Sequence, residues 1–277
     1  MAQSLDMSDG LTRPPLPDFA DPPVVEVALG VQFQPPVELS PLDLGPLRER
    51  WRDRFPRLEQ QPPLPPVVEA ERASQLGVQV VVGAAPMVRQ WFLAEEGREL
   101  IQLQQDRLIV NWRDVDGQVP YPRYEHVAAL FAEASEALWN FLAEQNLPQP
   151  SVTQAEVNYI NAIRVPDGLG DLGRVFSWWS SPAEHGHQLG NPEEATAGMI
   201  FRVRDMGSGP VRMYVDVQPA DTTQGRVLLM TLTVRGAPAD TSRVSAIEFM
   251  GQGRAHIVNG FSEMTTAEMH EVWGRRS

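Results

Sequence analysis

Cysteine and lysine are both missing from this sequence of 277 residues. Without cysteine the chain can form no disulfide, thiolate nucleophile or thiolate metal site, which is typical of proteins from a reducing compartment. Without lysine it can form neither a Schiff base nor the phosphate-binding loop of the G-x-x-x-x-G-K-[ST] type. The sequence also lacks a G-x-S-x-G motif around a nucleophilic serine. We therefore predict that the chain performs no covalent catalysis and favour a non-enzymatic role.

Long apolar runs are missing too. No stretch approaches the roughly 18 consecutive apolar residues of a membrane span, and the N-terminal residues do not read as a charged and then apolar leader. We therefore expect a soluble, cytoplasmic protein. The formal net charge of -13 opposes nucleic acid as a partner, because affinity for phosphates depends on cationic side chains. A protein partner or a homo-oligomer is favoured over nucleic acid or a membrane.

The hydrophobic pattern divides the chain into an extended, proline-rich arm (1–23) and two halves (24–150 and 151–277). The first half opens with a strand in which every second residue is apolar: Val25, Val27, Leu29, Val31 and Phe33. A short helix follows, with an apolar stripe at spacings of three and four: Leu44, Leu47, Trp51 and Phe55.

Proline dominates the next segment, 61–66, which predicts a stiff connector; a PxxP ligand for a recognition domain is the alternative. Beyond the connector, alternation and short polar turns predict an antiparallel meander of four strands, at 76–82, 88–94, 99–104 and 107–112. A helix over 124–145, with its apolar residues on one face, closes the first half.

The second half repeats this order of elements. A strand near Val157 is followed by strands over 199–204, 211–217 and 227–234, and by helices over 243–261 and at the C-terminus. Two motifs recur in both halves: Glu26-Val27 with Asp43-Leu44-Gly45 and Trp51, and Glu156-Val157 with Asp171-Leu172-Gly173 and Trp179. The sequence thus predicts an α+β fold made of a duplicated strand, helix, antiparallel sheet and helix unit with pseudo-twofold symmetry. Such a unit resembles the saddle of TATA-binding proteins or the helix-grip architecture.

Three segments carry a resemblance to a known family: the N-terminal strand beginning Pro22-Pro23-Val24, the run Glu59-Gln60-Gln61-Pro62-Pro63, and the C-terminal run from Phe261 to Gly274. In these the chain resembles a sporadically distributed prokaryotic family of uncharacterised proteins of about this size. The resemblance covers nearly the whole chain and implies no activity, cofactor or catalytic residue.

One face of the predicted sheet is coherently polar in the second half. Alternation places on it the candidate ligand or partner residues Arg202, Arg204, Arg212, Tyr214, Asp216 and Asn158, with Arg113 extending the face from the first half. Guanidinium groups suit bidentate recognition of anions, so the face is a candidate surface for an anionic ligand or a partner. An ordinary solvated sheet face is the alternative.

Two further groups of residues have the chemistry of active sites. Glu26 and Glu156 occupy matched places in the proposed repeat, and two neighbouring carboxylates can act as acid and base. The alternative is that each pairs with an arginine on an adjacent strand. His185 and His187 are weak candidates for metal binding, and a solvated polar loop is the alternative there. We expect no cofactor.

Two hypotheses for function follow. The first is a binding or assembly protein that contacts a macromolecular partner, or itself, through the polar sheet face and helices. The second is a small-molecule binder, or a non-covalent hydrolase-like enzyme, with a cavity between sheet and helix. A closed cavity of roughly 300 Å³ or more, lined by apolar groups with a few polar ones, favours the second hypothesis. A filled interior with an exposed apolar patch favours the first.

Overall fold

The computed structural model shows a mixed α+β fold, in which the segments with alternating apolar residues form strands and those with apolar stripes form helices. The structure describes residues 15–37, 44–69, 89–165, 172–180, 193–222 and 225–277. In the first half the described elements are β1 (Val24–Gln34), α1 (Gly45–Trp51), β2 (Arg57–Gln61), β3 (Arg89–Leu93), β4 (Glu99–Gln104), β5 (Arg107–Arg113) and α2 (Tyr124–Glu144). In the second half they are β6 (Ser151–Ile163), α3 (Leu172–Val175), β7 (Ala197–Val203), β8 (Val211–Thr222), β9 (Gly225–Gly236), α4 (Arg243–Met264) and α5 (Ala267–Val272).

All described strands join one antiparallel sheet in the order β2-β3-β4-β5-β1-β6-β9-β8-β7. The first strands of the two halves, β1 and β6, pair at its centre, where Leu29 lies opposite Val157. On either side of this pair the later strands follow in the same sequence, β5-β4-β3 in the first half and β9-β8-β7 in the second. The two halves therefore share one continuous sheet.

Side-chain alternation gives the sheet an apolar face and a polar face. On the apolar face, Val27 and Leu29 of β1 and Val157 of β6 have no exposed surface. Helix α2 packs on β1 and β5, and α4 packs on β6 and β9. A glycine brings α4 close to the sheet, because a Cβ at Gly253 would lie 3.2 Å from Cγ2 of Val157. That approach also sets the position of the next residue, Arg254.

Most predicted elements are confirmed with small shifts at their ends, and β4 has the bounds that the pattern predicted. The predicted strand 76–82 lies outside the described residues. Strand β2 was missed. The alternation that places Arg202 on the polar face also predicts that Phe201 of β7 packs inward; this is wrong, since 42% of Phe201 is exposed. Among the described strands, β7 is the last of the sheet and lies beyond the strands on which α4 packs.

The proline-rich connector continues from β2 across the polar face, and we call residues 62–69 the strap. Gln104 of β4 holds the backbone of Leu64 at two points, accepting from its N–H at 2.9 Å and donating to its carbonyl at 3.0 Å. Gln32 of β1 makes the same pair of bonds with Val67, both at 2.9 Å. The two residues held in this way, Leu64 and Val67, are three positions apart, which matches the three-residue period of a polyproline II helix. The connector thus serves as a structural linker docked on the chain's own sheet.

The described part of the predicted extended arm is docked on the C-terminal region. Phe19 is 5% exposed and packs edge-on against Phe261, with a ring separation of 5.8 Å. The N–H of Ala20 donates to the carbonyl of Gly274 at 2.9 Å. Among the described helices, none has the length and apolar character needed to cross a membrane.

Candidate functional site

Two of the arginines predicted on the polar face, Arg202 and Arg212, lie side by side. The sheet register places Arg202 of β7, Arg212 of β8, Arg235 of β9 and Glu156 of β6 in one row. Adjacent cations on neighbouring strands repel one another unless carboxylates offset them. Glu156 accepts a hydrogen bond from Arg235, so part of the charge is offset within the row.

The strap supplies the second carboxylate, Glu69. This residue is 9% exposed, accepts from Nη1 of Arg212 at 2.6 Å and accepts from the Tyr214 hydroxyl at 2.9 Å. Arg235 lies 3.7 Å from the same carboxylate. Burial and the bond to Glu69 raise the pKa of Tyr214 to about 12, so this phenol remains a donor at physiological pH. The row is therefore a largely self-neutralised network in which Arg212, only 4% exposed, is a buried residue.

The other predicted binding residues are dispersed. Arg204 and Asp216 are exposed, as is Arg202 at the end of the row, and Asp216 accepts from Gln218 at 2.8 Å. Asn158 donates to the Thr233 hydroxyl at 2.6 Å. Arg113 lies in the first half, where it donates to the carbonyl of Gly97 at 2.8 Å. The structure thus brings Arg212 and Tyr214 together but separates them from Arg113.

Glu26 and Glu156 do not form a carboxylate pair. Glu26 lies opposite Ile160 and Glu156 lies opposite Gly30, so four residues, or roughly 13 Å along the strand direction, separate them. Glu26 accepts from the Asn111 amide at 2.6 Å, whereas Glu156 accepts from Arg235. The alternative of separate partners on adjacent strands is the arrangement found, with an amide as the hydrogen-bond donor to Glu26.

Glu26 provides a pH-dependent prediction. Burial raises the pKa of its carboxyl above the usual 4.5, although Asn111 and Arg113 act in the opposite direction. The folded state therefore favours the protonated form, whose stabilising effect is present at low pH and is lost as the pH rises through the raised pKa. We expect Glu26→Gln, which keeps an oxygen for Asn111, to raise the free energy of unfolding at neutral pH and to change it little near pH 4.

Urea unfolding of the two proteins between about pH 4 and about pH 8 measures this difference. Glu156→Gln is the matched control and is expected to lose stability at neutral pH, because Arg235 loses its charged partner. A Glu26→Gln effect that does not vary with pH would contradict the prediction.

Metal binding has no support in the described residues, where no group of three or more acidic or histidine side chains is placed to hold an ion. The candidate ligands His185 and His187 lie outside the described residues.

A cavity lies on the helix-covered side of the sheet, as the second sequence hypothesis expected, but the residues that line it were not predicted. It has a volume of about 310 Å³ and lies between α4, the start of α2, the central strands and the arm. Three of the four tyrosines of the chain line it, namely Tyr121, Tyr124 and Tyr159, and we call it the tyrosine cavity. Its apolar walls are formed by Phe19, Val24, Ile257, Val258 and Phe261, and polar side chains line it as well: Asp18, Arg123, Glu125, Asn161, Arg254 and Arg276.

The arm is fixed over this cavity by Arg123. This residue precedes α2 with a φ of 80°, a conformation that non-glycine residues rarely adopt. Its guanidinium donates to the carbonyl of Phe19 at 2.9 Å and to Asp18 at 3.3 Å. In this conformation Arg123 makes the contacts that hold one wall of the cavity in place.

Hydrogen-bond donors converge inside the tyrosine cavity. The hydroxyls of Tyr121 and Tyr159 lie 3.0 Å apart, and the Arg254 guanidinium interacts with Tyr159. Arg254 also stacks over the Tyr124 ring, 5.1 Å from its centre, and lies 3.5 Å from Glu125. Its Nε is buried and has no hydrogen-bond partner among the described residues. A bound molecule could accept from this N–H group.

Burial keeps the three phenols protonated. It raises the pKa of Tyr121 and Tyr124 well above the usual 10, and that of Tyr159 to about 12. At physiological pH these hydroxyls are therefore neutral hydrogen-bonding groups. If Tyr159 accepts from Arg254 and donates to Tyr121, the proton of Tyr121 is free to point at a ligand.

Comparison of the chain with models of known protein families, with curated proteins and with solved structures finds no match. Inference about function therefore starts from the site geometry.

Proposed function

We propose that this protein binds a small molecule in the tyrosine cavity. The observation that carries the proposal is the convergence of three phenols and a buried guanidinium N–H in a cavity of about 310 Å³ that is lined by both apolar and polar side chains. Ligand sites in proteins have volumes of about 300–1,000 Å³ and combine apolar walls with a few placed polar groups. This supports the second of the two sequence hypotheses.

The polar groups indicate the kind of ligand. Tyr121, Tyr124 and Tyr159 offer hydroxyl groups, and Arg254 offers a cation with an N–H group to donate. Two carboxylates also line the cavity: Glu125 is exposed, and Asp18 is paired with Arg123 and Arg276. A ligand that accepts hydrogen bonds at one end and is apolar at the other complements this arrangement. Small monocarboxylic acids have this chemistry, and their charge is opposite to that of Arg254.

A thermal-shift panel tests the proposal. It contains benzoate, phenylacetate and hexanoate, each paired with the alcohol of the same skeleton. We expect at least one acid to stabilise the protein more than its alcohol. Tyr121→Phe should weaken that acid about 10- to 100-fold, because a hydrogen bond to a charged group contributes about 1.5–3 kcal/mol.

Tyr214→Phe is the matched control, because it removes the one tyrosine hydroxyl that lies outside the cavity and should leave acid binding unchanged. Equal binding by wild type and Tyr121→Phe, or no stabilisation by any acid, would contradict the proposal.

A macromolecular or self-assembly role is the second candidate function. It is supported by the edge strand β7, where Ile200 and Phe201 are 44% and 42% exposed and Arg202 and Arg204 are exposed beside them. An edge strand with apolar side chains can pair with a strand of another chain. Light scattering of wild type and Phe201→Glu tests this, and a monomer at all concentrations would exclude self-assembly.

An origin by duplication, membership of the prokaryotic family and a cytoplasmic location remain part of the proposal. The duplication is supported by the matching order of the strands on the two sides of the β1–β6 pair and by the long helix near the end of each half. In a TATA-binding saddle the open sheet face contacts DNA. Here the strap lies across the polar face, which argues against that use of the fold.

A further inference from the structure

A row of four polar side chains lies beneath the strap. The register places Gln104 of β4 opposite Arg107 of β5, Arg107 opposite Gln32 of β1, and Gln32 opposite Gln154 of β6. The first three bind the strap backbone: Gln104 at Leu64, Arg107 at the carbonyl of Pro65 with a bond of 2.9 Å, and Gln32 at Val67. The strap then continues toward Arg212. The fourth member, Gln154, lines the space between strap and sheet.

That space is a cavity of about 290 Å³, which we call the strap cavity. Gly30 contributes no side chain to its floor, so the space between Ile109 and Glu156 stays open. Ile109, Leu64, Pro65 and Val67 supply apolar surface. The strap cavity lies on the polar face of the sheet and the tyrosine cavity on the opposite side.

Gln154 is the unexplained group of the strap cavity. It is 7% exposed, and its Oε1 is buried without a hydrogen-bond partner among the described residues. A buried acceptor without a donor costs about 1–3 kcal/mol. An unsatisfied buried group is an exception that calls for an explanation, and a bound molecule that supplies the missing donor is one.

The rest of the row indicates which donor fits. Gln104 and Gln32 each bind an amide backbone by accepting from an N–H and donating to a carbonyl. Gln154 carries the same side-chain amide in the same row. Charged ligands are disfavoured, because the nearby charges are already paired as Arg107 with Asp106 and Arg235 with Glu156.

We propose that the strap cavity is a second binding site, specific for a small neutral amide that pairs with Gln154. The N–H group of the ligand donates to Oε1 of Gln154, and its apolar part packs against Ile109 and Val67. This site is independent of the proposed acid site in the tyrosine cavity.

Titration with 2-pyrrolidinone and γ-butyrolactone tests the proposal, because these five-membered rings differ in the N–H group. Methyl resonances of Leu64, Val67 and Ile109 report binding by NMR. We expect the lactam to bind at least about tenfold more tightly than the lactone. Gln154→Leu should abolish that preference without loss of thermal stability, because it also removes the buried acceptor.

Gln218→Leu, at an exposed position of β8, is the matched control and should keep the preference. Tyr121→Phe should keep it as well, which separates this site from the tyrosine cavity. Equal affinity for the two rings, a preference that survives Gln154→Leu, or absence of binding by both rings would each overturn the proposal.

Discussion

Replacing Arg212 with alanine is expected to lower the free energy of unfolding by about 3–5 kcal/mol, the usual cost of removing one partner from a buried ion pair. The side chains of Arg212 and Glu69 are 5% and 3% exposed, and their N and O atoms lie 2.6 Å apart. Without Arg212 the Glu69 carboxylate remains in the same buried place, with Tyr214 and the more distant Arg235 as its donors. Chemical denaturation measures the loss.

Two further variants make this result specific. The double variant Arg212→Met with Glu69→Leu should recover most of the lost stability, because replacing both buried charges with apolar groups is often neutral. Arg226→Ala removes an exposed partner of Glu194 and should change stability by about 1 kcal/mol or less. If Arg212→Ala is as stable as Arg226→Ala, the buried network is not part of the folded protein in solution.

Trp51→Ala is the second large expected effect, again about 3–5 kcal/mol. Trp51 is 6% exposed, and its ring meets that of Phe92 edge-on at 4.9 Å. Helix α1 has only seven residues and buries only Leu47 and Trp51. The substitution should therefore leave a cavity over β3 and loosen α1.

Trp178→Ala is the matched control for the tryptophan, since 36% of Trp178 is exposed. We expect it to cost about 1 kcal/mol or less. Urea unfolding of the three proteins gives the comparison. Equal losses for the two variants would contradict the packing described for α1.

The sequence predicted the fold well for elements whose pattern depends only on which side of the element is buried. Alternation in β1 and the apolar stripe of α2 each reflect burial on one side, so they can be read locally. Strand β2 was not predicted because it is five residues long, lies beside prolines and carries mostly exposed side chains. Phe201 was misplaced because alternation assigns a face but does not reveal that an edge strand extends beyond its helix.

The candidate site was less predictable, because its residues come from distant segments. Glu69 lies on a proline-rich connector without strand periodicity, so nothing local indicated that it would reach Arg212, 143 positions away. One feature of the sequence did point to the tyrosine cavity. Tyr159 and Asn161 occupy positions on the apolar face of β6, where their polar tips require partners under the helix. Which residues would supply those partners depends on how α4 packs.

The central claim is that the tyrosine cavity binds a small acid, and tyrosine-selective ¹³C NMR tests it most directly. The protein is titrated with the acid that stabilises it most in the thermal-shift panel. We expect saturable shifts in the signals of Tyr121, Tyr124 and Tyr159, with Tyr214 unchanged. Shifts confined to Tyr214, or no saturable shift in any tyrosine signal, would contradict it.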